Sequence, residues 1–206
     1  MTIFAIGDLH LSGSGAKPMD VFGRHWENHF GQITERWLSM VSPEDTVLIP
    51  GDISWAMQFE EATIDLRRIA QLPGTKVLLR GNHDYWWSSI TRLRAYLPQD
   101  MLALQNDSVA LAGVALCGTR GWDFPTESFP LEAQEEKVYR RELIRLELTL
   151  QSAKRHGLPI LAMMHYPPLL QDHRDTAFTA LLERYGVAMC VYGHLHSAGI
   201  QNGFSG

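Results

Sequence analysis

The chain has 206 residues, 45% of them hydrophobic, and a formal charge of -5. That length suits one domain, residues 1–206, with a sizeable core. The mild acidic balance, without a basic stripe, argues against a general nucleic-acid binder. The two cysteines, Cys117 and Cys190, stand alone in apolar runs without metal-type or redox-type spacing, so they read as buried thiols in a reducing compartment.

The opening stretch, MTIFAIGDLH, lacks a basic region, and its apolar run is too short for a signal peptide. No stretch approaches the ~20 apolar residues of a membrane span. The expectation is a cytoplasmic protein with no membrane partner.

Short apolar runs alternate with longer segments of three-and-four apolar spacing, the pattern of an α/β fold. In chain order, strands are predicted at Ile3–Ile6, Val47–Ile49, Lys76–Leu79, Ser108–Leu111, Val114–Cys117, Ile160–Met164 and Val187–Tyr192. Trp26, Phe30, Ile33, Trp37 and Met40 mark one helix. Phe59, Ala62, Leu66 and Ile69 mark a second, and Tyr139, Leu143, Leu146, Leu150 and Ala153 a long third. Ala112-Gly113, between two strands, is a hairpin signal and hence an antiparallel element. A mixed sheet, or two packed sheets, fits this better than a simple doubly wound fold. The longest loops, Leu11–Arg24 and Thr119–Pro130, are rich in Gly, Pro or Ser, and long ordered loops tend to carry function.

Five of these strands end in Asp, His or Asn. Gly7-Asp8-Leu9-His10 follows the first, Gly51-Asp52 the second, and Gly81-Asn82-His83-Asp84 the third. His165 follows Ile160–Met164, and Gly193-His194-Leu195-His196 follows the last strand. Ligands bind at the carboxyl ends of strands in such sheets. One Gly-Asp after a strand is ordinarily a turn, and one histidine is ordinarily structural; five coincidences are not explained that way. In an extended chain, residues two apart point to one side, so Asp8 with His10, and His194 with His196, are expected to aim together. Oxygen and imidazole donors without thiolate suit Mn, Fe or Zn. Seven or eight such groups are too many for one ion, whereas two ions sharing a carboxylate would use them.

In this order the blocks resemble the signature of the calcineurin-like metallophosphoesterase superfamily, in particular its small bacterial stand-alone phosphoesterases. The resemblance spans residues 8 to 196. It implies a four-layer α/β/β/α sandwich of two mixed β-sheets flanked by helices. It also implies that Asp8, His10, Asp52 and His196 hold a first divalent ion. Asp52, Asn82, His165 and His194 would hold a second, with Asp52 bridging. His83 would face the substrate phosphate and Asp84 would orient it. The implied activity is hydrolysis of phosphate esters, with a metal-bridging hydroxide as nucleophile.

The pattern is departed from in two places. Several subfamilies carry a further acidic or asparagine residue shortly after Gly-Asp, where this chain has Ile53-Ser54-Trp55, so their substrate does not carry over. The sequence also stops ten residues past His196, where family members continue with strands. Ile200–Phe204 reads as a hairpin just begun, so either further strands follow or a partner finishes the edge; a homo-oligomer is compatible with this.

Trp55, Tyr85, Trp86, Trp87, Trp122 and Tyr166 all lie near a site block or in the long loop. Core packing is the plain reading of Trp86 and Trp87. Tyr85, Trp122 and Tyr166 are candidates to line a substrate, and Arg120 to contact a second phosphate or simply to sit exposed. The aromatic residues favour a phosphodiesterase or nucleotide-directed enzyme. A phosphomonoesterase or protein phosphatase, and a non-catalytic scaffold on the same fold, are the competing readings.

Overall fold

A computed structural model describes residues 1–13, 15, 19, 23, 26–126, 130–169 and 175–195. Strands β1 (Ile3–Ala5), β2 (Thr46–Ile49), β3 (Thr75–Leu78) and β4 (Met101–Ala103) form one sheet in that order. Strands β5 (Ser108–Leu111), β6 (Val114–Thr119), β7 (Ile160–Met164) and β8 (Val187–Tyr192) form the second, also in chain order. Helices α1 (His29–Met40), α2 (Phe59–Ala70) and α3 (Ile90–Tyr96) connect the first sheet, and α4 (Ala133–Lys154) and α5 (Ala177–Arg184) the second.

The expectation of two mixed sheets holds only for the second. The first pairs its four described strands parallel throughout. Each of its connections runs through a helix, and such a crossover returns the chain in the same direction. The second sheet carries the antiparallel pair, β5 with β6, joined at Ala112-Gly113 as their hairpin signal predicts.

Strand alternation explains the layering. Along β7, Ile160, Ala162 and Met164 pack with Leu146, Leu150 and Phe178 from α4 and α5. Leu161 and Met163 point the other way and meet Leu48, Val77 and Leu79 of the first sheet. On β2, Val47 and Ile49 face Trp37 of α1 and Leu66 and Ile69 of α2. The two sheets therefore share one core, and helices cover both outer faces. Helix α2 buries Phe59, Ala62, Leu66 and Ile69, the spacing read from sequence. A Gln58–Glu61 capping box starts it, with Glu60 and Glu61 in the first turn and Arg67 and Arg68 in the last, matching its dipole.

Both cysteines are free; burial pushes each thiol up to about 12, so neither is a nucleophile at neutral pH. No helix among the described residues is long and apolar enough to cross a membrane.

Candidate metal centre

Five strand ends from two sheets converge. Asp8 and His10 follow β1, Asp52 follows β2 and Asn82 follows β3; His165 ends β7 and His194 ends β8. Donor atoms of Asp8, His10 and Asp52 all lie within 4.8 Å of one another. On the other side of Asp52, Nε2 of His165 is 2.5 Å from Oδ1 of Asn82, and Nδ1 of His194 is 3.1 Å from that same oxygen. Asp52 joins the two groups. Its Oδ2 is 3.7 Å from Nε2 of His10 and 3.5 Å from Nε2 of His165. His196 lies outside the described residues.

The backbone reaches this arrangement differently from the extended geometry expected for Asp8 and His10. Asp8, His10, Asp52 and His194 all have positive φ, between 45° and 72°. Side-chain-bearing residues rarely adopt that region, and such strain tends to collect at functional sites. Backbone bonds zip the first two loops together, His10 N–H to Asp52 C=O at 2.8 Å and Trp55 N–H to Leu11 C=O at 2.9 Å. Space is short enough to demand glycine. A Cβ on Gly81 would sit 2.1 Å from Oδ1 of Asp52, and one on Gly51, at φ +99°, 2.6 Å from Nδ1 of His165.

The donor chemistry fits a cation. Nδ1 of His165 is 3.0 Å from the Pro50 carbonyl, which can only accept, so Nδ1 carries the proton and Nε2 presents a lone pair. That lone pair faces the Asn82 and Asp52 oxygens. Oδ2 of Asp52 is buried and has no hydrogen-bond partner among the described residues. Acceptors brought together with no donor between them are costly unless a positive charge joins them.

The electrostatics point the same way. Burial, with Asp84 and Asp8 nearby, pushes the Asp52 carboxyl up to about 7 in the metal-free chain. Burial holds His165 down to about 3, so it stays neutral and able to coordinate. Asp52, His10 and His165 are buried, while Asp8, Asn82 and His194 are half-buried and border solvent.

His83 is half-exposed beside this cluster, its ring 5.8 Å from that of His10 and its backbone N–H donating to Oδ1 of Asp52 at 2.8 Å. Trp55 packs against both imidazoles, stacked on His10 at 4.8 Å and tilted on His83 at 4.4 Å. The expected partnership of Asp84 with the His83 ring is not made. Oδ1 of Asp84 accepts from Ile53 N, Ser54 N and Trp86 Nε1, and Oδ2 from Gly81 N, at 2.8–3.2 Å. Asp84 is fully buried and ties the loop after β2 to the loop after β3. Burial raises its carboxyl pKa while the four N–H groups oppose the rise.

Trp86 and Trp87 are 1% exposed and belong to the core, in line with their plain reading. Tyr85 is 50% exposed, its ring 6.2 Å from His83. Tyr166 is buried, tilted 4.3 Å over His194, with Trp122 5.3 Å beyond it. Arg120 is neither free nor fully exposed. Its guanidinium lies 4.7 Å over Trp122, and its carbonyl accepts from the backbone N–H of His165 and of Tyr166.

Sequence reasoning passed over three supports. The Pro50 carbonyl fixes the His165 tautomer. Trp55 backs the rings of both His10 and His83. Asp65 on α2 accepts from Ser54 Oγ at 2.7 Å and from Gly13 N at 2.9 Å, holding two site loops from behind. A lone aspartate on the apolar face of α2 was the available signal for the last.

A profile of the calcineurin-like phosphoesterase family matches residues 1–198. The chain belongs to the calcineurin-like phosphoesterase family. It is a phosphoric ester hydrolase of the metal-dependent kind, and its Asp8–His10–Asp52 group could hold a metal. No curated protein sequence matches this phosphoesterase significantly. Among solved structures it is similar to the phosphopantetheinyl hydrolase of Mycobacterium tuberculosis, at 16% identity and TM-score 0.51, covering 95% of this chain and 83% of that one. A protein of unknown function from Aquifex aeolicus is 18% identical with TM-score 0.47, covering 93% of this chain and 89% of that one. At such identities the likeness concerns the fold.

Proposed function

We propose that this phosphoesterase is a dinuclear hydrolase acting on phosphodiesters or nucleotide phosphates. Oδ2 of Asp52, enclosed without a hydrogen-bond partner between the imidazoles of His10 and His165, carries the reading as a shared ligand. Asp8 and His10, with His196, would hold one divalent ion; Asn82, His165 and His194 would hold the other; Mn, Fe and Zn all suit these donors. When bound, the ions would supply an activated water and positive charge against the phosphoryl oxygens.

The remaining work falls to the chain. His83, half-exposed and fixed through its backbone to Asp52, faces the leaving side of the phosphate and gives it a proton or a hydrogen bond. Asp84 acts as a positioning residue, keeping Gly81–His83 against Gly51–Ser54. The neutral amide of Asn82 avoids adding an anion opposite the incoming phosphate. Tyr85 and Trp122 supply flat surfaces for a base, sugar or ring, which favours a diester or nucleotide over a small monoester. Tyr166 backs His194.

Elemental analysis and anomalous scattering on protein supplied with manganese test the centre. Two ions per chain, both lost in Asp52→Ala, are expected; one ion at saturation refutes the dinuclear reading. Bis-p-nitrophenyl phosphate against p-nitrophenyl phosphate tests the substrate, and a preference for the monoester would make the enzyme a phosphomonoesterase.

A further inference from the structure

A cavity of about 300 Å³ opens beside the proposed metal ligands, between the ends of β3 and β6 and the first half of α4. Arg80, Arg120, Arg141 and Arg145 line it, with a single carboxylate, Glu142. Glu142 is fully buried and already committed. Its Oε2 accepts from Thr119 Oγ1 at 2.6 Å, and its Oε1 accepts from Arg145 Nη1 at 2.6 Å, with Arg120 Nη2 at 3.9 Å. Arg80 and Arg141 have no acidic partner among the described residues. Nε of Arg80 and Nε of Arg120 are both buried without an acceptor. Four guanidinium groups against one carboxylate leave three positive charges unanswered. A buried N–H without an acceptor costs on the order of 1–3 kcal/mol, so this lining favours an anion.

The cavity shares its walls with the proposed centre. Arg80 immediately precedes Gly81 and Asn82. The Arg120 carbonyl holds the backbone of His165, and its guanidinium lies over Trp122, which adjoins Tyr166 and through it His194. Several forked donors converging on one space suit a tetrahedral oxyanion of two charges better than a single carboxylate.

We propose that this cavity is a second oxyanion subsite of the active site, taking a phosphate group of the substrate other than the one hydrolysed. The assignment rests on the hydrolase reading above. It gives the substrate class as molecules with at least two phosphate groups.

Calorimetric titration of chelator-treated protein with inorganic phosphate tests the pocket without metal or turnover, so its result is separate from that of the hydrolase reading. One phosphate should bind per chain, more weakly as salt rises. Arg141→Gln, on an exposed stretch of α4, should weaken it about tenfold without loss of fold, and Arg80→Gln with Arg141→Gln by more. Arg141→Lys, keeping charge but losing the fork, should fall between. No binding at millimolar phosphate, or binding unaffected by either substitution, overturns the proposal. With manganese-loaded enzyme, ADP and adenosine 3′,5′-bisphosphate should inhibit bis-p-nitrophenyl phosphate hydrolysis more strongly than AMP, and the double variant should lose that difference. Phosphate binding in the pocket with the difference intact would assign it to free phosphate and overturn the substrate subsite.

Discussion

His83 sits within ring distance of a metal-ligand candidate, yet its neighbour Asn82, not its own ring, contacts His165 and His194. His83→Ala should therefore keep both ions and its thermal stability while losing roughly 10²–10⁴-fold in kcat, the usual contribution of a general acid or base. A proton donor matters most for a poor leaving group. The loss should be deeper on an alkyl diester than on a p-nitrophenyl ester; equal losses would make His83 a purely electrostatic donor, and a fall in metal content would make it a ligand. Asp52 carries a second prediction at this scale. Its carboxyl, raised to about 7, keeps its proton in the metal-free chain until near neutrality, and an ion must displace that proton. Manganese affinity should rise about tenfold per pH unit up to about pH 7 and flatten above it. Titration in buffers of different ionisation heat should register proton release at pH 6 and little at pH 8; affinity flat across that span refutes it. The same shift makes the metal-free fold less stable as pH climbs towards 7, because the unfolded chain has already lost that proton. His165, held neutral, acts oppositely below about pH 6.5.

Among the elements, the loops after β2 and β3 depend on one another through Asp84. Removing its carboxylate strands four N–H groups, three of them backbone, inside the protein. Asp84→Ala should cost on the order of 3 kcal/mol or more and lower activity through misplaced Asn82 and His83. Asp84→Asn, which keeps an acceptor, should recover part of the stability. Thermal melts together with kcat separate this from a direct catalytic role, in which kcat would fall and stability would not. Further along, Arg120 and Trp122 lie on the stretch leaving β6, against the back of His165 and Tyr166. Arg120→Ala and Trp122→Ala should raise KM for a nucleotide diester and change little on a small generic ester; equal losses on both would mark a structural role. Of the strands that sequence patterns placed best, β7 and β8 are runs of five and six apolar or aromatic residues, and β5 is set by the hairpin turn that follows it. The elements missed are short ones whose formation rests on packing: β4 has three residues, α3 buries only Leu93, and the eight residues of α5 bury Phe178 and Leu182. The identities of the clustered residues were legible because Asp, His and Asn after strands are chemically conspicuous. The left-handed backbone that aims them was not, since Asp and His adopt positive φ more readily than most side-chain-bearing residues but still only occasionally. Asp84 was assigned to the wrong partner because adjacency in sequence says little about where a side chain turns in a loop.

At the scale of the whole molecule, the proposed centre is a clasp between the two sheets. Asp8, His10, Asp52 and Asn82 belong to the first, His165 and His194 to the second, and the shared core of Leu48, Val77, Leu161 and Met163 lies behind them. An ion held at a hundred times its dissociation constant adds about 2.7 kcal/mol, which for a chain of this size raises Tm by roughly 5–10 °C. Chelation should remove that increment, and hydrogen exchange should quicken first at the ends of β7 and β8. Exchange rising only in the helices would argue that the clasp lies elsewhere. The division between the sheets also falls in sequence order: every strand of the first ends by Ala103 and every strand of the second begins at Ser108 or later. During synthesis, then, the first sheet can assemble while its carboxylates face no imidazole from the second. An ion shared with His165 and His194 would therefore be captured only after both have left the ribosome, so loading of that half of the proposed centre would follow assembly of the first sheet rather than direct it.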